Sequence, residues 1–439
     1  MHLASDGMER EITLKVAIQA SNNLHGQVRC PPNKSHSFRA LIMAALAEGT
    51  SLIHDPAISN DWMRGIEALE MFGCEAHPKA EKTWTVAGRG GSLQVPDDVV
   101  DCGNSGIILR FFMALAASCD GYTVLSGDHS LRHIRLCQPL IDALNSLGAW
   151  AVSTKGDGHA PVVVRGRLRG GRGEIDGIDS QPVSALLMAC ALADAPTELT
   201  VRRAGEKPWV GVTLDWLTRC GVEYSNENFE RFRIRGRSRW KAFECQIPLD
   251  WSAALYPIAA AVLTRDSEVR LPGMDFNDSQ GDKAVVDVLR RMGADIRIEG
   301  DVVTARSSRL TGCTIDCNDF IDQFMLLAVV GACAEGETVL TNAEVCRHKE
   351  CDRVAEMAKA LRAMGATVEE RPDGLVVRRS RLRGADLDSR SDHRMVMTMA
   401  VAGLVADGST TITDIECVKK TFPNFIEQMQ ALGCDMQKQ

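Results

Sequence analysis

Two hydrophobic patterns alternate along the chain. The first is a short signature, Leu-x-x-apolar-Gly-small. It occurs as LEMFGC, LNSLGA, LTRCGV, LRRMGA and LRAMGA, and in a variant form as MQALGC, with glycines at 73, 148, 221, 293, 365 and 433. Those glycines lie 68 to 75 residues apart, which predicts six copies of one structural unit. Each copy predicts a helix ending at a glycine that can adopt positive φ, followed by an extended segment. The second pattern is apolar almost all round. It reads RALIMAALAEGTSLI from Arg39, RFFMALAASCDGYTVL from Arg110, SALLMACALADAPTELTV from Ser184, SAALYPIAAAVLTRDSEVRL from Ser252, FMLLAVVGACAEGETVL from Phe324 and RMVMTMAVAGLVADGSTTI from Arg394. Helices without a polar face belong inside a domain, so each unit is predicted to bury one. A Gly-containing turn and a Thr-rich strand often follow. Three units per half predict two α/β halves, joined near Arg235–Pro248, where RGRSRWKAFECQIP is basic and polar and closes on proline.

Length and composition sharpen this picture. A chain of 439 residues is long for one core and suits two domains. The net charge of −8 argues against nucleic-acid binding but leaves anionic small substrates open. The 15 cysteines are odd in number and scattered through apolar helical contexts, which reads as free buried thiols in a reducing compartment. Cys346, His348 and Cys351 lie close together but are not read as a metal site. The start, MHLASDGMEREI, lacks an apolar leader core, and the longest apolar run, FMLLAVVGACA, has eleven residues, too few to span a bilayer. A cytoplasmic location is expected.

The turns before the apolar helices carry the chemistry. They read PPNKSHSFRA, DCGNSGIILR, IDSQPVSA, PLDWSAA, DFIDQFM and RSDHRMV, and are rich in the residues that cap helix N-termini. Six N-termini converging on one cleft would create a field for anions. Lys34, Arg39, Arg110 and Arg394 lie in or beside these turns. Taken singly, each turn is equally well a cap with a solvated charge. Six equivalent positions favour a site.

At PPNKSHSFRA, DCGNSGIILR, FIDQF, RHKECDR, SDHRMVM and KKTFPNF, in that order, the chain resembles the enolpyruvyl transferase family, and most closely its branch acting on shikimate 3-phosphate. The resemblance runs from about Val16 to Leu432. It implies a two-domain α/β fold, each domain three βαβαββ-type units with buried helices, an inside-out α/β barrel. The boundaries it implies are 31–245 for one domain and 1–30 plus 246–439 for the other. The implied reaction moves the enolpyruvyl group of phosphoenolpyruvate to the 5-hydroxyl of shikimate 3-phosphate and releases phosphate. The implied partners are those two small molecules, with no nucleic acid, no membrane, no metal, no cofactor and a monomeric enzyme.

Matched motif by motif, the resemblance implies Lys34, Asp322 and Glu350 as catalytic groups. Asp322 would take the hydroxyl proton, and Glu350 would move the proton at the methylene carbon. Ser35 and Arg39 would hold the shikimate carboxylate, Ser180 and Gln181 would flank the 3-phosphate, Trp209 would cover the ring, and Lys349 would add a cation. Asn104, Gly106, Arg110, Arg135, Gln181, Arg353, His393, Arg394 and Lys420 would surround phosphoenolpyruvate, with Lys34 between the two substrates. A cleft opening to admit the acceptor and closing over both is implied as well.

Several positions depart from the family. Ile107 and Phe111 stand where threonine and proline are usual, adding bulk beside Gly106 and suggesting a weak response to glyphosate. In LRHIRLCQP, Arg135 is taken as the phosphoenolpyruvate arginine, with Arg132 as the alternative. Asp179 and Glu206 replace two serines of the phosphate side, and Trp209 replaces a tyrosine. Carboxylates beside a phosphate are costly unless cations pair with them, so either they turn to nearby Arg or Lys or the acceptor differs. Two other readings remain: transfer to UDP-N-acetylglucosamine, and an inactive relative that binds an anion.

Overall fold

A computed structural model describes residues 14–439, so the MHLASDGMEREI segment lies outside the described residues. The six signature glycines all adopt left-handed φ, from 72° at Gly221 to 110° at Gly293. Each ends a helix and frees the chain to turn back into a strand. Among the described residues the strands form six four-stranded sheets. One unit shows the plan. Val100–Asp101 pairs in parallel with Tyr122–Ser126 across the helix Gly106–Ala116, and after the helix Gln138–Ser146 the hairpin of Trp150–Ser153 and Val162–Arg165 completes the sheet.

The other units repeat this order, and three of them borrow strands from distant sequence. Glu244–Gln246 supplies the parallel strand beside Glu48–His54. His25–Gln27 does so beside Glu268–Leu271, and Lys15–Ile18 lies between Thr410–Thr413 and Met436–Lys438. Two hydrophobic cores result. One runs from Phe38 to Ile247; the other takes Val16 to Cys30 and Trp251 to Met436. The chain therefore passes between cores twice, and the crossings are tied together. Asn33 N donates to Pro248 O at 2.8 Å and Asp250 N donates to Pro31 O at 2.9 Å. The basic segment from Arg235 is anchored rather than free: Trp240, Cys245 and Ile247 are buried in the first core while its arginines stay exposed.

The apolar helices are buried nearly throughout, as their lack of a polar face requires. Most start earlier than the apolar pattern indicates. Lys34–Leu46, Ser180–Leu192, Trp251–Leu263 and His393–Leu404 begin directly after Asn33, Asp179, Asp250 and Asp392, whose side chains accept from backbone N–H groups of the first turn. The catalytic-looking turns are thus the first turns of core helices, held by both packing and capping. All 15 cysteines are free. No helix among the described residues is long and apolar enough to cross a membrane.

Candidate active site

The cleft between the cores is where these first turns meet. Lys34, Ser35, Arg39, Gly106, Arg110, Arg135, Ser180, Gln181, Trp209, Asp322, Lys349, Glu350, Arg353, His393, Arg394 and Lys420 line one cavity. Asn104 stands just behind it, its backbone oxygen and Oδ1 accepting from Lys420 Nζ at 2.6 and 2.9 Å. The expected convergence of six N-termini is corrected to five. The Trp251–Leu263 helix contributes no lining residue; its first N–H groups are engaged inside its own core, Trp251 N donating to Gln280 Oε1 and Ser252 N to Asp250 Oδ1. A second set of turns supplies what it does not. Lys349 and Glu350 follow the 3-10 turn Glu344–His348, Arg353 opens the helix Arg353–Ala363, and Lys420 ends the 3-10 turn Ile415–Lys420.

Arg353 organises the second half of the site. Only 1% exposed, it donates to both oxygens of Asp392 (2.7 and 3.2 Å), to Asp322 Oδ1 (2.9 Å) and to Glu350 Oε2 (2.9 Å). Arg394 Nη2 donates to the other Asp322 oxygen at 2.9 Å. Glu350 Oε1 faces Arg135 Nη2 at 2.7 Å and Lys420 Nζ at 3.4 Å, across the cleft from the first of these. Burial pushes both carboxyls up, but the surrounding cations prevail. Asp322 is held at about 2 by Arg394, Arg353 and Lys349, and Glu350 lies well below its usual range beside Arg135, Arg353 and Lys420. Both are therefore anions at neutral pH.

Lys34 behaves oppositely. Burial, then repulsion from Lys420, lowers its ammonium to about 8, with Asp61 and Glu350 pulling back. Asp61 lies 3.7 Å from both Lys34 Nζ and Lys420 Nζ. Burial also drives His393 well below its usual value, helped by Lys34, Arg394 and Lys420, so its ring is neutral.

On the acceptor side, Arg39 is fixed by Thr213 Oγ1 (2.7 Å), Ser35 O (3.0 Å) and Trp209 O (3.0 Å). The ring of Phe111 lies under its guanidinium at 5.3 Å, so Phe111 shapes Arg39 rather than the Gly106 turn; Ile107 does line the cavity. Arg135 is in the cavity, whereas Arg132 lies outside it with Nε on Asp128 O at 3.2 Å. Asp179 turns to Arg110 at 3.1 Å. Glu206 stays inside the cavity, on Lys349 at 2.8 Å and on the Ser180 backbone N and hydroxyl. Cys346 and Cys351 diverge, one facing Ile321 O and the other Asp392 Oδ2, and among the described residues no cluster suits a metal ion.

Asp61, Ser105, His348 and Asp392 belong to this neighbourhood and were missed by the sequence reading. Asp61 reads locally as an ordinary acidic residue in the first turn of Asn60–Met71. Asp392 had a usable signal, since it sits in the SDHR motif beside two expected site residues.

Cations and carboxylates thus line a cleft between two cores of three buried helices each, and the solved structures that share this fold are enolpyruvyl transferases. The fold matches an EPSP synthase from Acinetobacter baumannii with a TM-score of 0.80, at 27% identity over 97% of this chain and 100% of that one. It also matches the enolpyruvyl transferase NikO from Streptomyces tendae, with a TM-score of 0.77 at 22% identity over 97% of this chain and 99% of that one. The family model described as EPSP synthase (3-phosphoshikimate 1-carboxyvinyltransferase) matches residues 18–429. Proteins named 3-phosphoshikimate 1-carboxyvinyltransferase are 42% identical in Acetivibrio thermocellus, over 94% of this chain and 96% of theirs, and 44% identical in Halobacterium salinarum, over 95% and 99%. The chain belongs to the EPSP synthase family.

Proposed function

We propose that the chain transfers the enolpyruvyl group of phosphoenolpyruvate to the 5-hydroxyl of shikimate 3-phosphate and releases phosphate. The observation that carries this is the meeting of Lys34, Asp322, Glu350, Arg353, Arg394 and Lys420 around one cavity between the cores. In the proposed assignment Asp322, an anion held by two arginines, accepts the 5-hydroxyl proton as that oxygen bonds to C2 of phosphoenolpyruvate. C3 gains a proton from Lys34 or through Glu350. The C2–O bond to phosphate then breaks as the group that protonated C3 takes a proton back from C3, which restores the double bond, and the proton held by Asp322 leaves with the phosphate. Arg135, Arg353, Arg394 and Lys420 hold the phosphate and carboxylate of phosphoenolpyruvate, and Arg39 holds the acceptor's carboxylate. Residues 31–245 form one closing unit, and 246–439 with the N-terminal strands form the other. The enzyme is read as a cytoplasmic monomer that needs no cofactor, which size-exclusion chromatography and turnover in a chelator would check.

The test is phosphate release with phosphoenolpyruvate plus shikimate 3-phosphate, and separately plus UDP-N-acetylglucosamine, with products weighed by mass spectrometry. Release with the first acceptor only is expected. Release with the second, or with neither, sinks the assignment. Asp322→Asn should lower kcat by about 10²- to 10⁴-fold, the usual range for a lost general base. Ile107, beside the Gly106 turn, supports a weak response to glyphosate; tight inhibition at low micromolar concentration would overturn that reading.

A further inference from the structure

A phosphate-bearing acceptor needs an anion subsite beyond the one that takes phosphoenolpyruvate, and the cavity offers one. The N-terminus of the 13-residue helix Ser180–Leu192 presents the Ser180 backbone N–H, with the Ser180 hydroxyl beside it and Lys349 opposite. All three donors are already engaged. Glu206 Oε2 accepts from Ser180 N at 2.7 Å and from Ser180 Oγ at 2.8 Å, and Glu206 Oε1 accepts from Lys349 at 2.8 Å.

The arrangement is built rather than incidental. Glu206 is 2% exposed, and its backbone takes a left-handed φ of 45°, which disfavours a non-glycine residue. Its own N–H donates to Asn318 Oδ1 across the cleft at 3.0 Å. A second carboxylate stands beside it, for Asp179 caps the same helix through Gln181 N at 3.0 Å and pairs with Arg110 at 3.1 Å. Two cavity carboxylates, one buried and one half-buried, thus balance Lys349 and Arg110 before any ligand arrives. A phosphate dianion entering here meets like charge and donors that are occupied. A plain hydroxyl in the same place would instead donate to Glu206.

We infer that Glu206, supported by Asp179, determines acceptor specificity in this chain by occupying the acceptor's phosphate subsite itself. This rests on the reading of the preceding subsection. Shikimate 3-phosphate must displace the Glu206 side chain from Lys349 and Ser180 to bind, whereas unphosphorylated shikimate need not. The carboxylate accordingly lowers the preference for the phosphorylated acceptor, and removing it enlarges that preference.

The test is calorimetric titration of shikimate 3-phosphate and of shikimate into the wild-type enzyme, Glu206→Ser and Glu206→Gly, with turnover measured separately. The glycine variant also relieves the left-handed backbone, so it folds if the serine variant does not. Both variants should raise the ratio of the shikimate Kd to the shikimate 3-phosphate Kd by tenfold or more. A ratio that stays constant or falls overturns the inference while leaving the enzymatic reading intact. A ratio that rises in a protein that never releases phosphate supports the inference and overturns the enzymatic reading. Binding of neither ligand to any of the three proteins overturns both.

Discussion

Gly106 shows how tightly single residues constrain this cleft. A Cβ added there would lie 2.7 Å from Arg110 Nη1 and from Arg135 Nη1, so both guanidinium groups would have to retreat. Gly106→Ala should raise the KM for phosphoenolpyruvate by about tenfold, roughly 1.4 kcal/mol, with a smaller effect on kcat. Steady-state kinetics with the acceptor saturating checks this; an unchanged KM would mean the arginines do not hold that substrate. Lys34 gives a prediction in pH. With its ammonium lowered to about 8, it is charged below that pH and loses its proton above it. The kcat/KM for phosphoenolpyruvate should therefore decline above about pH 8. Asp322 and Glu350, both held below their usual ranges, stay ionised through neutral pH and add no limb there. Lys34→Arg keeps the charge and should lose the alkaline limb along with most of the rate. A limb that survives in that variant belongs to another group.

Elements matter here because first turns do two jobs, capping a core helix and aiming a side chain at the cleft. Asp392 is the clearest case: Oδ1 caps His393–Leu404 through Arg394 N at 2.8 Å, and the carboxylate holds Arg353, the buried centre of the site. Asp392→Asn keeps an oxygen for the cap but removes the charge from a pair whose side chains are 1% and 0% exposed. Breaking such a pair leaves a buried cation undercompensated, so stability should fall by about 3 kcal/mol. Urea denaturation checks this, and a loss under about 1 kcal/mol would show that Asp322 and Glu350 compensate for the missing charge. The cap was legible in the sequence because capping is local: Asp directly before an apolar helix is a signal within four residues. The partner was not, since Arg353 is 39 residues away and nothing local pairs the two. The same limit hid Asp61, whose two lysines come from opposite halves. By contrast, the repeat of glycine-ended helices and fully apolar helices made the six units legible, because both signals lie within one element.

At the scale of the whole molecule, two cores are joined by two adjacent crossings, and in the proposed closing of the cleft what closes it can be separated from what ties it. The ties are the backbone bonds at Asn33 and Asp250, reinforced by Asn33 Nδ2 donating to Gln280 Oε1 at 2.6 Å. The closing contacts lie at the cleft. Arg135 meets Glu350, Lys349 meets Glu206, and Lys420 reaches Asn104 over 316 residues of sequence. Every one of these cations is a group proposed to hold a substrate phosphate or carboxylate. In the proposed reading these internal carboxylates and carbonyls stand where ligand oxygens would bind, so substrates must exchange with them. Removing one closing cation should therefore shift the ligand-free protein toward an open form without disturbing the ties. Arg135 is the best choice, being buried and paired across the cleft at 2.7 Å. Arg135→Ala should show a larger radius of gyration than wild type by small-angle X-ray scattering without ligands. Saturation with both substrates should bring it only part of the way back, because the same arginine is proposed to bind phosphoenolpyruvate. A radius equal to wild type in the ligand-free state would place closure in the ties and core packing instead, and the ion pairs across the cleft would then follow from closure rather than cause it.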